Sequence, residues 1–231
     1  MSYDILLFDA DRTLFDFDAS EKLAFFEIAP KYGVIPTEEN FELYKTINHR
    51  NWEDLEKGLV KKEVLVVRRF EEFLTAVGKT GDAAKMNDDY LTALSCKSIL
   101  FEDALPLLDR LKNVGKRIFI ITNGVTKVQR GRLNDSPMFP YLEEVFISEQ
   151  MSVSKPQKLF FDLVAQKITN YSPERAIVIG DSLTSDIQGA NNAGLDCIWL
   201  NQDNAVNNKG LAITFEAKTL EEIGDFILSK D

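Results

Sequence analysis

The chain has 231 residues, of which 45% are hydrophobic and 28% are charged. This balance is typical of a globular protein with one large domain, or with a core and a smaller inserted domain. The formal net charge of −10 argues against a protein that binds nucleic acid polymers or anionic membranes through a basic surface. No stretch approaches the roughly 18 consecutive apolar residues of a membrane span. The start of the chain has no secretory signal pattern, so we expect a cytoplasmic protein.

The first predicted strand, Asp4–Phe8, is a short apolar run that ends in a polar cluster. Such a run suits a fully buried strand of a parallel sheet. Two carboxylates, those of Asp9 and Asp11, follow where the strand stops. Ligands of open α/β sheets bind at the carboxyl ends of the strands, and hard cations take oxygen ligands. The pair therefore indicates a metal or acid–base site, although two solvated turn residues would give the same pattern.

The stretch that follows the first strand is predicted to be entirely helical. Between about residues 17 and 97, apolar residues recur at helical spacing and no run typical of a strand interrupts them. Thr37 is expected to cap a helix that ends near Asn48, with a short separate helical piece from Asn51 to Gly58. The predicted domains are a core formed by residues 1–16 and 98–231, and an inserted all-helical domain formed by residues 17–97.

From about Ile99 onward, predicted helices alternate with predicted strands. The strands are expected at Arg117–Thr122, Val145–Ser148, Ala176–Gly180, Cys197–Leu200 and Ala212–Phe215. The helices are expected at Asp103–Val114, Thr126–Leu133, Gln157–Lys167, Ser185–Ala193 and Leu220–Leu228. This alternation is typical of a doubly wound parallel sheet. The first strand belongs to the same sheet, so the predicted fold class is α/β with a helical domain inserted after that strand.

Two further segments near strand ends carry polar side chains. The strand that ends at Thr122 is followed by Asn123 and Gly124, and a hydroxyl with backbone N–H groups at the start of a helix can bind phosphate oxygens. Thr-Asn-Gly is also an ordinary turn sequence. Lys155 precedes another predicted helix. A lysine is usually exposed, but here its ammonium group would neutralise an acidic cluster and a bound phosphoryl group.

Two more acids, Asp181 and Asp186, follow the predicted strand Ala176–Gly180. Asp186 alone would be explained by a favourable position near a helix N-terminus. Asp181 is harder to explain in this way, because it directly follows four apolar residues and a glycine. A parallel sheet would bring one set of side chains to the same edge: Asp9, Asp11, Thr122, Lys155, Asp181 and Asp186. Chance would place one or two of them there, but hardly all.

This ordered set resembles the haloacid dehalogenase superfamily, and specifically its magnesium-dependent phosphohydrolases. The family pattern is Asp-x-Asp-x-Thr, then Thr or Ser, then Lys, then Gly-Asp with a later Asp. The matching residues here are Asp9, Asp11, Thr13, Thr122, Lys155, Asp181 and Asp186. The helical insert is similar to the cap domain of the family. One departure is Arg12, where the superfamily commonly has glycine, and a side chain there would crowd the site or contact the substrate.

A narrower likeness is to the branch of bacterial pyrimidine 5′-nucleotidases. It rests on Thr122-Asn123-Gly124 with Gln129 and Arg132, on the segment Gly180–Ile187, and on Asn48, Trp52 and Glu56 in the insert. It implies a nucleoside 5′-monophosphate as the substrate. The predicted substrate contacts are Thr13, Asn123 and Gly124 in the core, with Asn48, Trp52 and Arg69 in the cap. Trp52 would stack on a base or, alternatively, pack in the interior of the cap.

The resemblance implies a phosphomonoester hydrolase with Mg²⁺ as its cofactor. Asp9 would attack phosphorus to form an aspartyl-phosphate, and Asp11 would protonate the leaving alcohol and later deprotonate a water. Thr122 and Lys155 would stabilise the charge of the phosphoryl group. The metal-binding residues would be Asp9, Asp11 through its main-chain carbonyl, Asp181 and, from the outer shell, Asp186.

Several alternatives stay open at the level of sequence. A sugar-phosphate phosphatase or a phosphomutase of the same superfamily would share all of these motifs. A metal-independent haloacid dehalogenase shares the fold, but the combination of Asp11 with Asp181 favours a metal. A non-catalytic phospho-acceptor module would be shorter and would lack an acid two residues after the nucleophile. We expect a small phosphorylated metabolite as the partner, and no nucleic acid polymer, membrane or obligate protein partner.

Overall fold

A six-stranded sheet forms the centre of the computed structural model, which describes residues 2–231; Met1, part of the predicted core, lies outside them. The strands are β1 (Ile5–Phe8), β2 (Arg117–Thr122), β3 (Leu142–Ile147), β4 (Ala176–Gly180), β5 (Asp196–Leu200) and β6 (Phe215–Ala217). Their order across the sheet is β3-β2-β1-β4-β5-β6, and every neighbouring pair is parallel. The predicted parallel α/β sheet is confirmed.

Within residues 2–231, four α-helices form the insert and six lie in the core. Those of the insert are α1 (Phe17–Ile28), α2 (Glu38–Glu56), α3 (Lys62–Ala76) and α4 (Ala83–Ser95). Those of the core are α5 (Ala104–Asn113), α6 (Thr126–Asn134), α7 (Ser148–Met151), α8 (Lys158–Lys167), α9 (Gln188–Ala193) and α10 (Leu220–Leu228). Within residues 2–231, no helix is long and apolar enough to cross a membrane.

The central strand β1 is apolar on both of its faces. Successive side chains of a strand point to opposite sides of the sheet. Leu6 and Phe8 pack into an apolar cluster with α5 and α10, whereas Ile5 and Leu7 pack into a second cluster with α8 and α9. Helices therefore cover both faces, as is typical of parallel sheets. The predicted doubly wound arrangement is confirmed.

The insert has an apolar core of its own, built around stacked aromatic rings. The ring centroids of Phe25 and Tyr44 lie 5.1 Å apart, and those of Tyr44 and Phe70 lie 5.2 Å apart. Buried rings of this size contribute strongly to packing, so the insert does not depend on the sheet for its interior. No strand occurs in the described structure between residues 17 and 97, as expected. The exact domain boundaries stay a prediction.

The two connections between the core and the insert run side by side. The Asp16 N–H donates to the Ile99 carbonyl at 3.0 Å, and the Phe101 N–H donates to the Leu14 carbonyl at 3.0 Å. We call these two paired segments the stem of the insert. The stem begins directly after the acidic turn that follows β1, so the insert leaves and rejoins the core beside the carboxyl end of the central strand.

Some local predictions were wrong. Strand β3 is Leu142–Ile147 rather than Val145–Ser148, and Ser148 begins α7. Helix α2 continues to Glu56 without the expected break near Asn48, because Asn51 binds within the helix bundle: its amide nitrogen donates to the Ile47 carbonyl at 2.9 Å and to Glu72 at 2.9 Å. The last strand lies at Phe215–Ala217 rather than from Ala212. The backbone of Ala212 is instead bound to the side-chain amide of Asn191.

Candidate active site

The carboxyl ends of β1, β2 and β4 meet at one edge of the sheet. Strand β1 pairs with β2 on one side and with β4 on the other, and the N–H of Asp9 donates to the Ile179 carbonyl of β4 at 2.8 Å. This pairing brings Asp9, Thr122 and Asp181 to the same cavity, whose volume is about 210 Å³. The predicted meeting of the strand-end side chains is thus seen in the structure.

Lys155 is the buried cation of this cavity. Its side chain is only 1% exposed, and its Nζ donates to Asp9 Oδ1 at 2.6 Å, to Asp186 Oδ1 at 2.6 Å and to the Ile121 carbonyl at 2.9 Å. Burial lowers the pKa of Lys155, but the carboxylates of Asp186 and Asp9 raise it further than burial lowers it. The ammonium group therefore stays charged, and the alternative of a surface lysine is excluded.

Three carboxylates surround Lys155. Oxygens of Asp9, Asp181 and Asp186 all lie within 4.8 Å of one another. Burial raises the pKa of Asp9 well above its usual range, and burial with the charge of Asp186 raises the pKa of Asp181 to about 7. One ammonium group cannot neutralise three carboxylates, so the site is short of positive charge. An all-oxygen donor set in a buried acidic cluster fits a hard divalent cation such as Mg²⁺.

Gly180 determines where Asp186 lies. A Cβ atom at position 180 would be 2.3 Å from Asp186 Oδ2, so no other residue fits there without displacing the carboxylate. The same Oδ2 accepts a hydrogen bond from the Ser182 N–H at 3.1 Å. Asp186 itself lies in a π-helical turn, Leu183–Ile187, where we predicted the first turn of an α-helix from Ser185. Such turns are frequent at functional sites.

The turn after β2 is held against the Lys155 backbone. The Asn123 side chain donates to the Lys155 carbonyl at 2.9 Å and accepts from the Lys155 N–H at 3.0 Å. The N–H of Gly124 donates to Thr122 Oγ1 at 3.0 Å. We predicted Asn123 as a substrate contact, but its amide is already used in this way. Its NH₂ group has a second N–H, so the contact with a substrate stays a prediction.

Asp11 borders the same cavity, and its carboxylate is bound by α6 rather than by Lys155. Its Oδ2 accepts from Gln129 Nε2 at 2.6 Å, and its Oδ1 forms an ion pair with the Arg132 guanidinium. The Asp11 side chain is therefore not a candidate metal ligand in this arrangement. The main-chain carbonyl that we predicted as a ligand is unaffected by it. Gln129 and Arg132 belong to the family likeness in the sequence, but their contact with Asp11 was not predicted.

Two predicted substrate contacts do not line the inner cavity. Thr13 is completely buried outside it, and its hydroxyl has no hydrogen-bond partner among the described residues. The Asn48 side chain is bound inside the insert instead. Its amide donates to Glu21 Oε1 at 2.7 Å and accepts from Arg69 Nη1 at 2.9 Å. Asn48 borders a neighbouring outer cavity instead. The structure does not place these two side chains in the cavity with Asp9, and their contact with a substrate stays a prediction.

The insert covers the cavity with aromatic and aliphatic side chains. Those that line it include Phe17, Trp52, Tyr90, Leu91 and Leu94, together with Arg69. Trp52 borders the cavity and is not part of the apolar core of the insert. The Arg69 guanidinium lies 4.9 Å from the ring centroid of Phe70 and 4.9 Å from that of Tyr90. The cavity is thus acidic at the strand ends and largely apolar toward the insert.

Two polar contacts connect the insert to the core near this cavity. Lys62 Nζ on α3 donates to the Asn123 carbonyl at 2.6 Å and to Ser148 Oγ at 3.0 Å. The Thr184 hydroxyl donates to the Glu56 carboxylate on α2. Burial lowers the pKa of Lys62 and raises the pKa of Glu56. Neither contact was predicted, because charged residues on an amphipathic helix are usually solvated.

Arg12, the departure from the family pattern, lies at the edge of the cavity. Its φ of +61° is in the left-handed region, which glycine adopts without steric cost. Arg12 thus adopts a backbone conformation that suits the glycine of the family pattern, but with a larger side chain. The side chain is half-exposed and reaches Asp18 at the start of α1 and Asp203 beyond β5, both at 3.3 Å.

Glu21 supplies a pH-dependent prediction for the insert. Burial raises its pKa from 4.5 to about 7, so the folded protein keeps a proton that the unfolded chain has released. The free energy of unfolding should therefore fall as pH rises through this interval and then level off. Glu21→Gln should stabilise the protein relative to wild type increasingly between pH 5 and pH 8, by up to roughly 3 kcal/mol, in urea unfolding experiments.

The matched control for that experiment is Glu27→Gln on the same helix. Glu27 is half-exposed and paired with Lys97 at 2.7 Å, so its substitution should shift the stability by little, and equally at both pH values. If the free energy of unfolding differs between Glu21→Gln and wild type by the same amount at pH 5 and pH 8, Glu21 is not protonated in the folded protein.

Comparisons with known proteins agree with this site and fold. The sequence profile of the haloacid dehalogenase-like hydrolases matches residues 3–194. The chain is 37% identical to the pyrimidine 5′-nucleotidase PynA of Streptococcus pneumoniae, over 97% of this chain and 95% of that protein. It is 32% identical to the pyrimidine 5′-nucleotidase YjjG of Escherichia coli, over 96% of this chain and 97% of that protein.

A solved structure shows the same architecture. The putative HAD-hydrolase YfnB of Bacillus subtilis, a structure bound to magnesium, superposes with a TM-score of 0.93 at 35% identity, covering 98% of this chain and 99% of that one. The L-2-haloacid dehalogenase of Xanthobacter autotrophicus has a TM-score of 0.76 at 16% identity, a likeness that shows the fold alone.

The fold and the acidic strand ends define an enzyme that works beneath a helical cap. The chain belongs to the haloacid dehalogenase-like hydrolase family. It is accordingly a hydrolase, and its family and its nucleotidase relatives support a phosphatase. The predicted resemblance, including the narrower one to the pyrimidine nucleotidase branch, is confirmed.

Proposed function

We propose that this protein is a cytoplasmic, Mg²⁺-dependent phosphomonoesterase that hydrolyses a pyrimidine nucleoside 5′-monophosphate through an aspartyl-phosphate. One observation carries the proposal: the buried carboxylate of Asp9 lies in a cluster with Asp181 and Asp186 and is bound by the Lys155 ammonium group at 2.6 Å. A carboxylate held in this way has a fixed orientation toward the cavity. The two relatives that are pyrimidine 5′-nucleotidases support the substrate class.

In the first step, an Asp9 carboxylate oxygen forms a bond to phosphorus while the ester P–O bond breaks. The leaving oxygen takes a proton from the carboxyl group of Asp11, so that a neutral alcohol departs. In the second step, a water oxygen bonds to phosphorus, and the water proton goes to Asp11. The bond between phosphorus and Asp9 then breaks, which releases inorganic phosphate and restores both carboxyl groups.

The remaining site residues bind and neutralise the phosphoryl group. The Thr122 hydroxyl lines the cavity beside Asp9 and would bind a phosphoryl oxygen. The three N–H groups of Lys155 already bind Asp9, Asp186 and the Ile121 carbonyl, so its ammonium group would act on the phosphoryl group through its charge. Asp9, Asp181 and Asp186 would hold Mg²⁺. If Lys155 stays bound to Oδ1 of Asp186, that carboxylate would orient the other ligands without touching the ion itself. When bound there, the metal ion would offset the repulsion between the attacking carboxylate and the anionic substrate.

The cap side of the cavity fits a flat base better than a sugar alone. Trp52 offers an aromatic face, on which a base can stack, whereas Tyr90 is fully buried and the Arg69 guanidinium lies over its ring. Arg69 has five N–H donors, and its side chain makes three hydrogen bonds, to Val66, Asn48 and Asn87. The remaining donors would bind a ring carbonyl, which every pyrimidine base carries.

The proposal is tested with a panel of phosphomonoesters, assayed for phosphate release with Mg²⁺ and with a chelator. The panel holds pyrimidine and purine nucleoside 5′-monophosphates, their deoxy forms, and sugar phosphates. We expect the highest kcat/KM for pyrimidine nucleotides and no turnover in the chelator. A preference for sugar phosphates would mean that the protein is a sugar-phosphate phosphatase and not a nucleotidase. Full activity in the chelator would contradict the proposed metal site.

Trp52→Ala should weaken the binding of nucleotides selectively. The loss of one stacking partner costs about 1–3 kcal/mol per base, so the KM for a nucleoside monophosphate should rise roughly tenfold. Ribose 5-phosphate is the matched substrate, since it has the same phosphorylated sugar without the base, and its kinetics should change little. Trp52→Phe retains a ring and should restore most of the affinity. An equal loss for both substrates would make Trp52 a packing residue.

A further inference from the structure

The carboxylate of Asp11 is bound at both oxygens by one helix of the core. Gln129 Nε2 donates to Oδ2 at 2.6 Å, and the Arg132 guanidinium pairs with Oδ1. The two donors stand three positions apart on α6 and therefore share a face of that helix. We call Gln129 and Arg132 the α6 pair. Each oxygen of a carboxylate has two lone pairs, so both retain one that can face the cavity.

The α6 pair is buried to an unusual degree. Gln129 is 1% exposed and Arg132 is 0% exposed, and a fully buried arginine is rare unless it is paired. Asp11 is the one carboxylate with which Arg132 forms an ion pair in the described part of the chain. The guanidinium also lies 4.5 Å from the ring centroid of Phe15. The core thus contains a buried cation whose charge has a single partner, and that partner is Asp11.

Gly124 makes room for this arrangement. A Cβ atom at position 124 would lie 2.1 Å from Gln129 Nε2, so any other residue would displace the Gln129 amide. The backbone of this turn therefore approaches the Gln129 side chain as closely as glycine alone permits. Gly124 follows Asn123, which holds the Lys155 backbone. One turn thereby leaves space for the donor to Asp11 and also fixes the lysine beside Asp9.

We propose that Gln129 and Arg132 are positioning residues for Asp11: they fix the orientation in which its carboxyl group reaches the leaving oxygen. This inference rests on the proposed acid–base role of Asp11. A general acid must lie within hydrogen-bond reach, about 2.6–3.2 Å, of the atom that it protonates. A short carboxyl side chain on a turn can rotate out of reach, and two donors at fixed positions on a helix prevent that rotation.

The test measures how the variants depend on the leaving group. Benzyl phosphate and p-nitrophenyl phosphate are similar in size, but benzyl alcohol leaves only with a proton, whereas p-nitrophenolate leaves as the anion. Gln129→Met keeps the length of the side chain and removes the donor. Because a hydrogen bond to a charged group is stronger than one between neutral groups, kcat/KM for benzyl phosphate should fall roughly tenfold or more. For p-nitrophenyl phosphate it should fall less than about threefold.

Two further variants keep the result interpretable. Arg132→Lys retains the charge but not the planar fork, and it should show the same selective loss. Arg130→Met, on the same helix but exposed and bound only to Gln150 at 3.0 Å, should leave both substrates unaffected. Thermal unfolding of each variant checks the fold. An equal loss for both substrates, or no loss in Gln129→Met, would overturn the positioning role.

Asp11→Asn serves as the reference and separates this inference from the proposed function. It should discriminate between the two substrates more strongly than either variant of the α6 pair. If Asp11→Asn itself shows no discrimination, the acid–base role of Asp11 is wrong. If Asp11→Asn discriminates and Gln129→Met does not, the role of Asp11 stands and the positioning by the α6 pair is wrong.

Discussion

Asp9→Asn is expected to abolish turnover and to leave the fold intact. An amide is a far poorer nucleophile than a carboxylate, and the loss of a nucleophile that acts as part of a unit costs at least about a thousandfold in kcat. The amide oxygen of asparagine can still accept the hydrogen bond from Lys155. The Lys155 ammonium group also retains its hydrogen bonds to Asp186 and to the Ile121 carbonyl. The fold should therefore survive the substitution.

The measurement is phosphate release together with mass spectrometry of protein quenched during turnover. Wild type should carry a phosphoryl group and Asp9→Asn should not. Asp225→Asn provides a matched control, because Asp225 is exposed on α10 and pairs with Arg110, away from the cavity lining. Near-normal activity of Asp9→Asn would rule out a covalent mechanism through this residue.

Lys155→Met should destabilise the protein as well as inactivate it. Removing one partner of a buried ion pair costs about 3–5 kcal/mol, because the remaining charge is left buried and uncompensated. Here two carboxylates, Asp9 and Asp186, would lose their shared cation. The measurement is urea unfolding in the presence of a chelator, so that no divalent cation replaces the missing charge.

Two comparisons make this prediction specific. Lys158→Met removes an exposed lysine that pairs with Asp162, and it should change the free energy of unfolding by less than about 0.5 kcal/mol. The double variant Lys155→Met/Asp186→Asn removes one of the stranded charges and should recover part of the lost stability. A Lys155→Met protein as stable as wild type would show that the three carboxylates do not need the ammonium group.

The sheet was predictable because its signals are local. The strands that carry the site, β1, β2 and β4, are short apolar runs, and Asp9, Thr122 and Asp181 lie at their carboxyl ends. The parallel arrangement then follows from the alternation with helices, and it places Asp9, Thr122 and Asp181 together without further information. In the cap, by contrast, Trp52 and Arg69 line the cavity as predicted but Asn48 does not.

The parts that were missed depend on which helix faces meet. Nothing within the sequence near Lys62 or Glu56 distinguishes them from solvated charges, and their partners lie in distant segments. Gln129 likewise reaches Asp11 across 118 positions of sequence. The continuation of α2 past Asn48 was not predicted, because it depends on the hydrogen bond from the Asn51 amide to Glu72 on α3. Contacts of this kind arise from tertiary packing, which a single sequence does not display.

The paired stem of the insert bears on how such enzymes diversify. Its two segments are hydrogen-bonded to each other, at Asp16–Ile99 and at Leu14–Phe101. The two ends of the insert are therefore held together at the sheet, whatever the number of residues between them. The entropy of closing a loop grows only slowly with the number of residues in it. Inserts of different size and shape can therefore replace one another at this point with little cost to the strands that carry the chemistry. An exchange of caps between relatives would then transfer substrate preference as a module, while the hydrolytic apparatus is inherited unchanged.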